Sequence, residues 1–353
     1  MAIKSEGVLD IIATQGADSN IFGKLTVIKE WDVATSIKVA FLGIGLMGLP
    51  MARRLLGAGY PTLCFNRSPD KLRDLAAQGA GVTSSVAQAV READIIISML
   101  ADGAVVADVM NAAQAHLRAG ACWIDMSSTR QDQAVAFAAQ LAASAVGFVD
   151  APVSGGVVGA QAGSLAIMAG ASEHDYARVQ SLLTVLGRLT HVGPVGCGQL
   201  AKLCNQLIVG ATLQVVAEAL LLAKAGGADP AAVRAALRGG FAESRILEVH
   251  GQRMLERNFM PGGQIKTQAK DMENIMLAAQ QAGLNLPLAQ EVTAQFLALR
   301  QWLPGADQAA VLLELERANS GFRLGDGPNQ GPNQGPTQGP TQGPNQGPNQ
   351  VPE

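Results

Sequence analysis

The chain has 353 residues, a formal net charge of −3 and 48% hydrophobic residues, enough for two domains with cores of their own. It contains no block of clustered Lys and Arg, which argues against nucleic acid or an anionic membrane as the main partner and points to a small ligand. Cys64, Cys122, Cys197 and Cys204 lack the spacing of a metal site or of a secreted disulfide framework and read as reduced thiols of a cytoplasmic protein.

In chain order, residues 1–36 carry Lys4, Glu6 and Asp10 across any apolar run, so they read as a poorly ordered extension rather than a signal peptide. From Ile37 short β-branched runs alternate with helical stretches, the pattern of an α/β fold: a Rossmann-type, doubly wound parallel sheet over 37–195. Strands are predicted at 37–42, 62–65, 94–99, 123–125, 148–150, 165–168 and 189–192. Residues 196–323 hold only helix-period segments, broken near 226–230 and 261–263, which predicts an all-helical substrate and dimerisation domain. It opens with a helix over 196–225, roughly 45 Å long at about 1.5 Å per residue. Gln214, Glu218 and Lys224 mark that helix as buried rather than membrane-spanning. Residues 324–353 include a tandem repeat of Gly-Pro-Asn-Gln or Gly-Pro-Thr-Gln over 327–350, which has little to bury and reads as a disordered tail.

Three segments carry chemistry. Gly43-Ile44-Gly45-Leu46-Met47-Gly48 follows the first strand and opens a helix. Its glycines allow a tight turn and a close approach of pyrophosphate to backbone N–H groups at the helix start. The second strand ends in Asn66-Arg67-Ser68 rather than in a carboxylate. Arg67 can grip a ribose 2'-phosphate through paired N–H groups, which favours NADP and leaves NAD possible; the bland alternative is a solvated loop arginine. In Asp150-Ala-Pro-Val-Ser154-Gly155-Gly156-Val-Val-Gly159, the N–H groups of Ser154, Gly155 and Gly156 with the Ser154 hydroxyl suit a substrate carboxylate; taken alone the segment is equally a strand-ending turn. Gly198, Lys202 and Asn205 share one helix stripe: an ammonium as proton donor, an amide to orient substrate, and bare backbone leaving room for the nicotinamide. No metal cluster or Ser-His-Asp set is visible, and His116, His174, His191 and His250 read as structural or surface residues.

The segments 43–52, 150–159, Gly198-x-x-x-Lys202-x-x-Asn205 and Lys270-Asp271 follow one another in the order found in the β-hydroxyacid dehydrogenase family, which the chain resembles from residue 37 to about 319. The stretch 239–254 is similar to the 2-hydroxy-3-oxopropionate (tartronate semialdehyde) reductase branch. Gly263-Gln264, Gln308 and Ala101 depart from that branch, where an aromatic followed by a basic residue, a His and a Pro are usual. The resemblance implies an NAD(P)-dependent oxidoreductase of small β-hydroxyacids with Lys202 as the catalytic acid and base. It assigns Ser154, Gly155, Gly156 and Asn205 to the substrate. To the cofactor it assigns Ser128 and Lys270, beside residues 43–48 and 66–68 and the further candidates Met99 and Leu100; no metal is implied. Dehydrogenases of 3-hydroxyisobutyrate, threonate or serine, and succinic semialdehyde-type reductases, share the scaffold; a non-catalytic NADP-binding sensor is the remote alternative. The apolar surface of the helical part predicts a homodimer or homotetramer.

Overall fold

The computed structural model of the protein describes residues 37–331. The N-terminal extension and the repeat units beyond 331 lie outside the described residues. The chain divides into two compact units, one ending at Asn205 and the other starting at Gln206.

The first unit is built on a nine-stranded sheet: β1 (Val39–Leu42), β2 (Thr62–Phe65), β3 (Gly81–Thr83), β4 (Ile95–Ser98), β5 (Cys122–Asp125), β6 (Gly147–Asp150), β7 (Val153–Ser154), β8 (Leu165–Gly170) and β9 (Gly187–Gly193). Strands β3, β2, β1, β4, β5 and β6 are parallel neighbours in that order. β8 then pairs antiparallel with β6 and β7 and parallel with β9. Side chains alternate across the sheet, so Val39 and Phe41 enter one core layer while Ala40 and Leu42 enter the other. Both layers are filled because helices cover both faces, which is why these strands read as continuous apolar runs. β1 leads to β2 on one side and β4 extends the sheet on the other, so the order reverses between β1 and β4. Ligands of doubly wound sheets bind at the carboxyl ends of strands at such a switch point.

Two strands escaped prediction. Gly81–Thr83 is an edge strand of three residues beginning with a glycine, too short to show a period. Val153–Ser154 is two residues inside the glycine-rich segment 150–159, paired with Ile167 and Ala166.

The second unit is helical: the remainder of the Cys197–Ala225 helix, then Pro230–Leu237, Arg245–Leu255, Ile265–Gln281, Pro287–Arg300 and Val311–Ala318. Asp229, in the predicted break, caps its helix by accepting from the Ala231 N–H, with Pro230 at the first helical position. Where the Cys197–Ala225 helix meets its neighbours in this unit, an added Cβ at Gly210 would lie 2.8 Å from Gln268 Nε2 and 3.1 Å from Met272 Sδ. The division into compact units falls inside that helix, and Lys202 and Asn205 lie in the sheet-bearing unit. The disordered tail predicted from 324 needs correction, because residues 324–331 are held on the second unit. Leu324 is buried, and the guanidinium of Arg257 donates to the Leu324 carbonyl and to Asn329. One apolar anchor and one charged donor supply what the repeat itself lacks.

Candidate active site

Local backbone demands shape the cofactor loop between β1 and the Gly48–Gly57 helix. Gly43 has φ +107°, and a Cβ there would meet the Met99 carbonyl oxygen at 2.3 Å and the Leu100 side chain at 2.8 Å. Glycine is required on both counts. A Cβ at Gly48 would sit 2.0 Å from the Gly43 carbonyl oxygen, so the helix start packs directly on the turn. Gly45 faces open space, nothing lying within 4 Å of an added Cβ. That open face at a helix start beside the switch point fits the pyrophosphate of a dinucleotide. The structure therefore brings Gly43 together with Met99 and Leu100. Leu46 is exposed, Met47 half-buried.

The end of β2 braces the same loop. Asn66 Oδ1 accepts from the Ile44 N–H at 3.0 Å, and Asn66 Nδ2 donates to the Ser68 carbonyl at 2.9 Å. Asn66 thus holds the loop through its own amide, while Arg67 and Ser68 stand exposed beside it. A carboxylate at that position would also accept from Ile44 but could not donate to Ser68.

Behind the loops lies a buried polar chain that sequence reading did not assign. Trp123 Nε1 donates to Ser98 Oγ at 2.9 Å, Ser98 Oγ to Asp125 Oδ1 at 2.8 Å, and the Ser127 N–H to the same oxygen at 3.2 Å. Ser127 Oγ in turn accepts from the Leu100 N–H at 2.9 Å. The chain ties the ends of β4 and β5 into one platform carrying Met99, Leu100 and Ser128. Asp125 Oδ2 is buried with no hydrogen-bond partner, and burial pushes this carboxyl up to about 6 against the pull of Ser127 and Ser98.

Lys202 lies one turn into the Cys197–Ala225 helix, half-buried, its Nζ donating to the Val153 carbonyl at 2.9 Å. Val153 immediately precedes Ser154, Gly155 and Gly156, so the ammonium sits at the base of the segment predicted to hold a carboxylate. Gly155 at φ +135° and Gly156 at φ +62° turn this backbone through the left-handed region, and both are exposed. Asn205 follows on the Lys202 helix, half-buried.

The helix start is fixed by two residues missed in sequence. Asp150, at the end of β6, accepts from the Gly196 N–H through Oδ1 and from the Gln199 N–H through Oδ2, each at 2.7 Å. The buried Gln199 side chain donates to the Ser127 carbonyl at 2.8 Å and accepts from the Thr129 N–H at 3.0 Å, holding both neighbours of Ser128. Gly198 has a different role from the one expected. An added Cβ would lie 2.3 Å from the Asp150 carbonyl oxygen and 2.5 Å from that of Met168. Its bare backbone therefore lets the helix press onto the strand ends, rather than leaving room for the nicotinamide.

Burial pushes Asp150 up to about 7, the two amide donors pulling the other way. A carboxyl raised above its ordinary 3.8 binds its proton more tightly in the folded than in the unfolded chain. The stability it contributes is full below about pH 4 and is lost as pH rises through 6 for Asp125 and 7 for Asp150. Melting scans should therefore show stability from these groups declining between pH 4 and pH 8, and Asp150→Asn should flatten the upper part of that slope. An identical slope in the variant would exclude Asp150 as its source.

Lys270 lies in the second unit, on the Ile265–Gln281 helix, with Nζ 3.3 Å from the buried Asp271. Asp271 also accepts from Gln206 Nε2 at 2.7 Å, so it belongs to a buried amide network with Gln206, Gln268 and Gln308. Two departures from the reductase branch meet in this network's surroundings. The Gln308 N–H donates to the Gly263 carbonyl at 2.9 Å, and a Cβ at Gly263 would lie 3.0 Å from the Gln308 side chain. Gly263 and Gln308 therefore form one local adjustment. Among the described residues no group of His, Cys, Asp and Glu is arranged to hold a metal ion. Burial raises the Cys64 and Cys122 thiols to about 12, which removes both as nucleophiles.

Residues 38–196 match the family described as the NAD binding domain of 6-phosphogluconate dehydrogenase. Residues 196–315 match the one described as NAD-binding of NADP-dependent 3-hydroxyisobutyrate dehydrogenase. The chain is 42% identical over 258 residues to 2-hydroxy-3-oxopropionate reductase of Escherichia coli K12, covering 71% of this chain and 87% of that protein. Among solved structures it is similar to the 3-hydroxyisobutyrate dehydrogenase of Mycobacterium tuberculosis with L-serine, at TM-score 0.75 and 30% identity over 80% of this chain and 99% of that one. It is also similar to Psf3 in complex with NADP+ and 2-OPP, at TM-score 0.71 and 26% identity over 78% and 99%. The glycine loop at the switch point and the Lys202 helix capped beside the Ser154 loop are thus parts of an NAD(P)-dependent oxidoreductase, and the chain belongs to the β-hydroxyacid dehydrogenase family that includes 3-hydroxyisobutyrate dehydrogenase.

Proposed function

We propose that the enzyme reduces the aldehyde of 2-hydroxy-3-oxopropionate to give glycerate, with NADPH as hydride donor. The observation that carries this reading is the Lys202 Nζ, 2.9 Å from the Val153 carbonyl at the edge of the Ser154-Gly155-Gly156 backbone. It sets a proton donor beside a segment able to hold a carboxylate, the spacing that a small aldehyde acid requires. The similarity to a reductase of this name at 42% identity supports the choice of substrate.

Bound nicotinamide supplies the hydride that arrives at the carbonyl carbon. As the carbonyl oxygen gains negative charge, the Lys202 ammonium stabilises it and donates a proton from Nζ, leaving an alcohol and a neutral amine. In the oxidative direction the neutral amine takes the proton back. Asn205 orients the substrate without adding charge, and the Ser154 hydroxyl with the following N–H groups binds the carboxylate.

The Gly263–Gln308 adjustment favours a second reading, in which another 3-hydroxyacid is the substrate. A panel of 2-hydroxy-3-oxopropionate, 3-hydroxyisobutyrate, serine, threonate and succinic semialdehyde, assayed with both cofactors, separates the two. The highest kcat/KM for 2-hydroxy-3-oxopropionate is expected, and a higher value for any other acid would replace the assignment.

For the cofactor, the exposed Arg67 and the absence of a carboxylate at position 66 support NADPH. Arg67→Ala should raise KM for NADPH on the order of tenfold and leave KM for NADH unchanged. A wild-type preference for NADH would overturn this. We also place the enzyme in the cytoplasm as a homodimer or homotetramer. Ile208, Val215 and Leu222, seven residues apart on one helix, are 67%, 57% and 73% exposed, an apolar stripe suited to a second copy. Light scattering at the mass of one chain would exclude the oligomer.

A further inference from the structure

The reaction leaves the tetrapeptide repeat unused, yet the first unit of that repeat is held by a built site on the second unit of the chain. Arg257 is 2% exposed although it follows the Arg245–Leu255 helix in a left-handed conformation, φ +53°. Its Nη1 and Nη2 pair with the two oxygens of Glu316 at 2.7 and 2.8 Å, and Nη1 also donates to the Leu324 carbonyl. The Nε donor reaches Asn329 Oδ1 at 2.7 Å. Two backbone bonds run alongside: the Gln330 N–H donates to the Arg257 carbonyl at 2.9 Å, and the Phe259 N–H donates to the Gln330 carbonyl at 2.7 Å. They make a parallel bridge of Asn258 with Gln330. One unit, Gly327-Pro328-Asn329-Gln330, is thus read by its third side chain and by the main chain of its fourth residue. The proline, which has no N–H to offer, stands at a place outside that pairing.

The sequence offers the same four residues again. Gly-Pro-Asn-Gln occupies 327–330, 331–334, 343–346 and 347–350, while 335–338 and 339–342 are Gly-Pro-Thr-Gln. Only a shift by a multiple of four residues returns an acceptor to the third place and a paired main chain to the fourth. A threonine hydroxyl lies one bond nearer its backbone than an asparagine amide oxygen, so it falls short of Arg257 Nε. A buried guanidinium donor left without an acceptor is costly.

We propose that the Arg257–Phe259 edge is a tetrapeptide-binding site that accepts Gly-Pro-Asn-Gln and rejects Gly-Pro-Thr-Gln, with the Asn units of the chain's own tail as interchangeable occupants. The two Thr units then act as spacers between two pairs of competent ones. The site is a peptide receptor filled in cis, and its occupancy is independent of Lys202 chemistry.

The test follows hydrogen exchange at the Phe259 amide in the full-length chain. Asn329→Thr alone should keep protection within about threefold of the wild type, because the unit at 331–334 takes the vacated place. Changing Asn329, Asn333, Asn345 and Asn349 together to Thr should lower protection by about tenfold or more, the loss of one hydrogen bond to a charged donor. The synthetic peptide Gly-Pro-Asn-Gln-Gly-Pro-Asn-Gln added to this fourfold variant should restore protection, and Gly-Pro-Thr-Gln-Gly-Pro-Thr-Gln should not. Full protection in the fourfold variant, equal effects of the two peptides, no effect of either, or a single Asn329→Thr as unprotected as the fourfold change would each overturn the proposal.

Discussion

Lys202→Met is expected to lower turnover by about 10³-fold while NADPH binding stays within roughly twofold of the wild type. Methionine keeps most of the length and apolar stem of the lysine; the Val153 carbonyl loses its Lys202 donor, but the pairing of Val153 and Ser154 with Ile167 and Ala166 still holds that segment. What disappears is the proton at Nζ and the positive charge beside the carbonyl oxygen. The cofactor loop from Gly43 to Gly48 packs at Gly43 against the Met99 carbonyl and the Leu100 side chain. Binding and chemistry should therefore separate cleanly: fluorescence titration with NADPH reads the first, single-turnover oxidation of NADPH the second. Lys202→Arg refines the result, since it keeps a charge but is a far weaker proton donor, and it should fall between the methionine variant and the wild type. Near-normal turnover in the methionine variant would remove Lys202 from the mechanism.

Gly198→Ala should be the most damaging single-methyl change on that helix. The added carbon would stand 2.3 Å from the Asp150 carbonyl, 2.5 Å from the Met168 carbonyl and 2.8 Å from Asp150 Oδ2. Two of these are main-chain atoms of strands in the centre of the first unit, and the third is the carboxylate that receives the helix N–H groups. None is the loose end of a flexible side chain, so the helix must move away. Overpacking of this kind costs about 1–3 kcal/mol, and a shift of about 1 Å in a group that acts on the reacting carbonyl is enough for roughly 10²-fold in rate. The loss should appear in kcat more than in KM for the cofactor. Thermal unfolding and steady-state kinetics check both, and a variant with unchanged melting temperature and kcat would show that the helix start has slack that the contacts do not suggest.

The same residue shows where sequence reading stops. The glycine loop was legible because its signal is local: three glycines at fixed spacing between a strand and a helix, each with a backbone reason to be glycine. The long β-branched strands were legible because burial on both faces leaves an unbroken apolar run. Gly198 was legible as a position needing no side chain, but the atoms demanding it belong to Asp150 and Met168, far off in the chain, so its purpose was misassigned. Asp150 and Gln199 were hidden for the same reason, their partners lying 46 to 72 residues away. Gly81–Thr83 and Val153–Ser154 were too short to carry any period. In the tail, composition indicated that the repeat has nothing to bury, whereas the decisive group was an arginine belonging to another element.

Gln199 has a consequence for how this enzyme can change. Its backbone answers to Asp150 and its side chain grips the main chain on either side of Ser128, so the platform carrying Met99, Leu100 and Ser128 and the first turn of the Lys202 helix form a single girder. On the proposed function, that girder sets the alignment of cofactor and proton donor whatever acid is turned over. Exchange of Asp150 or Gln199 would then displace both together rather than one alone.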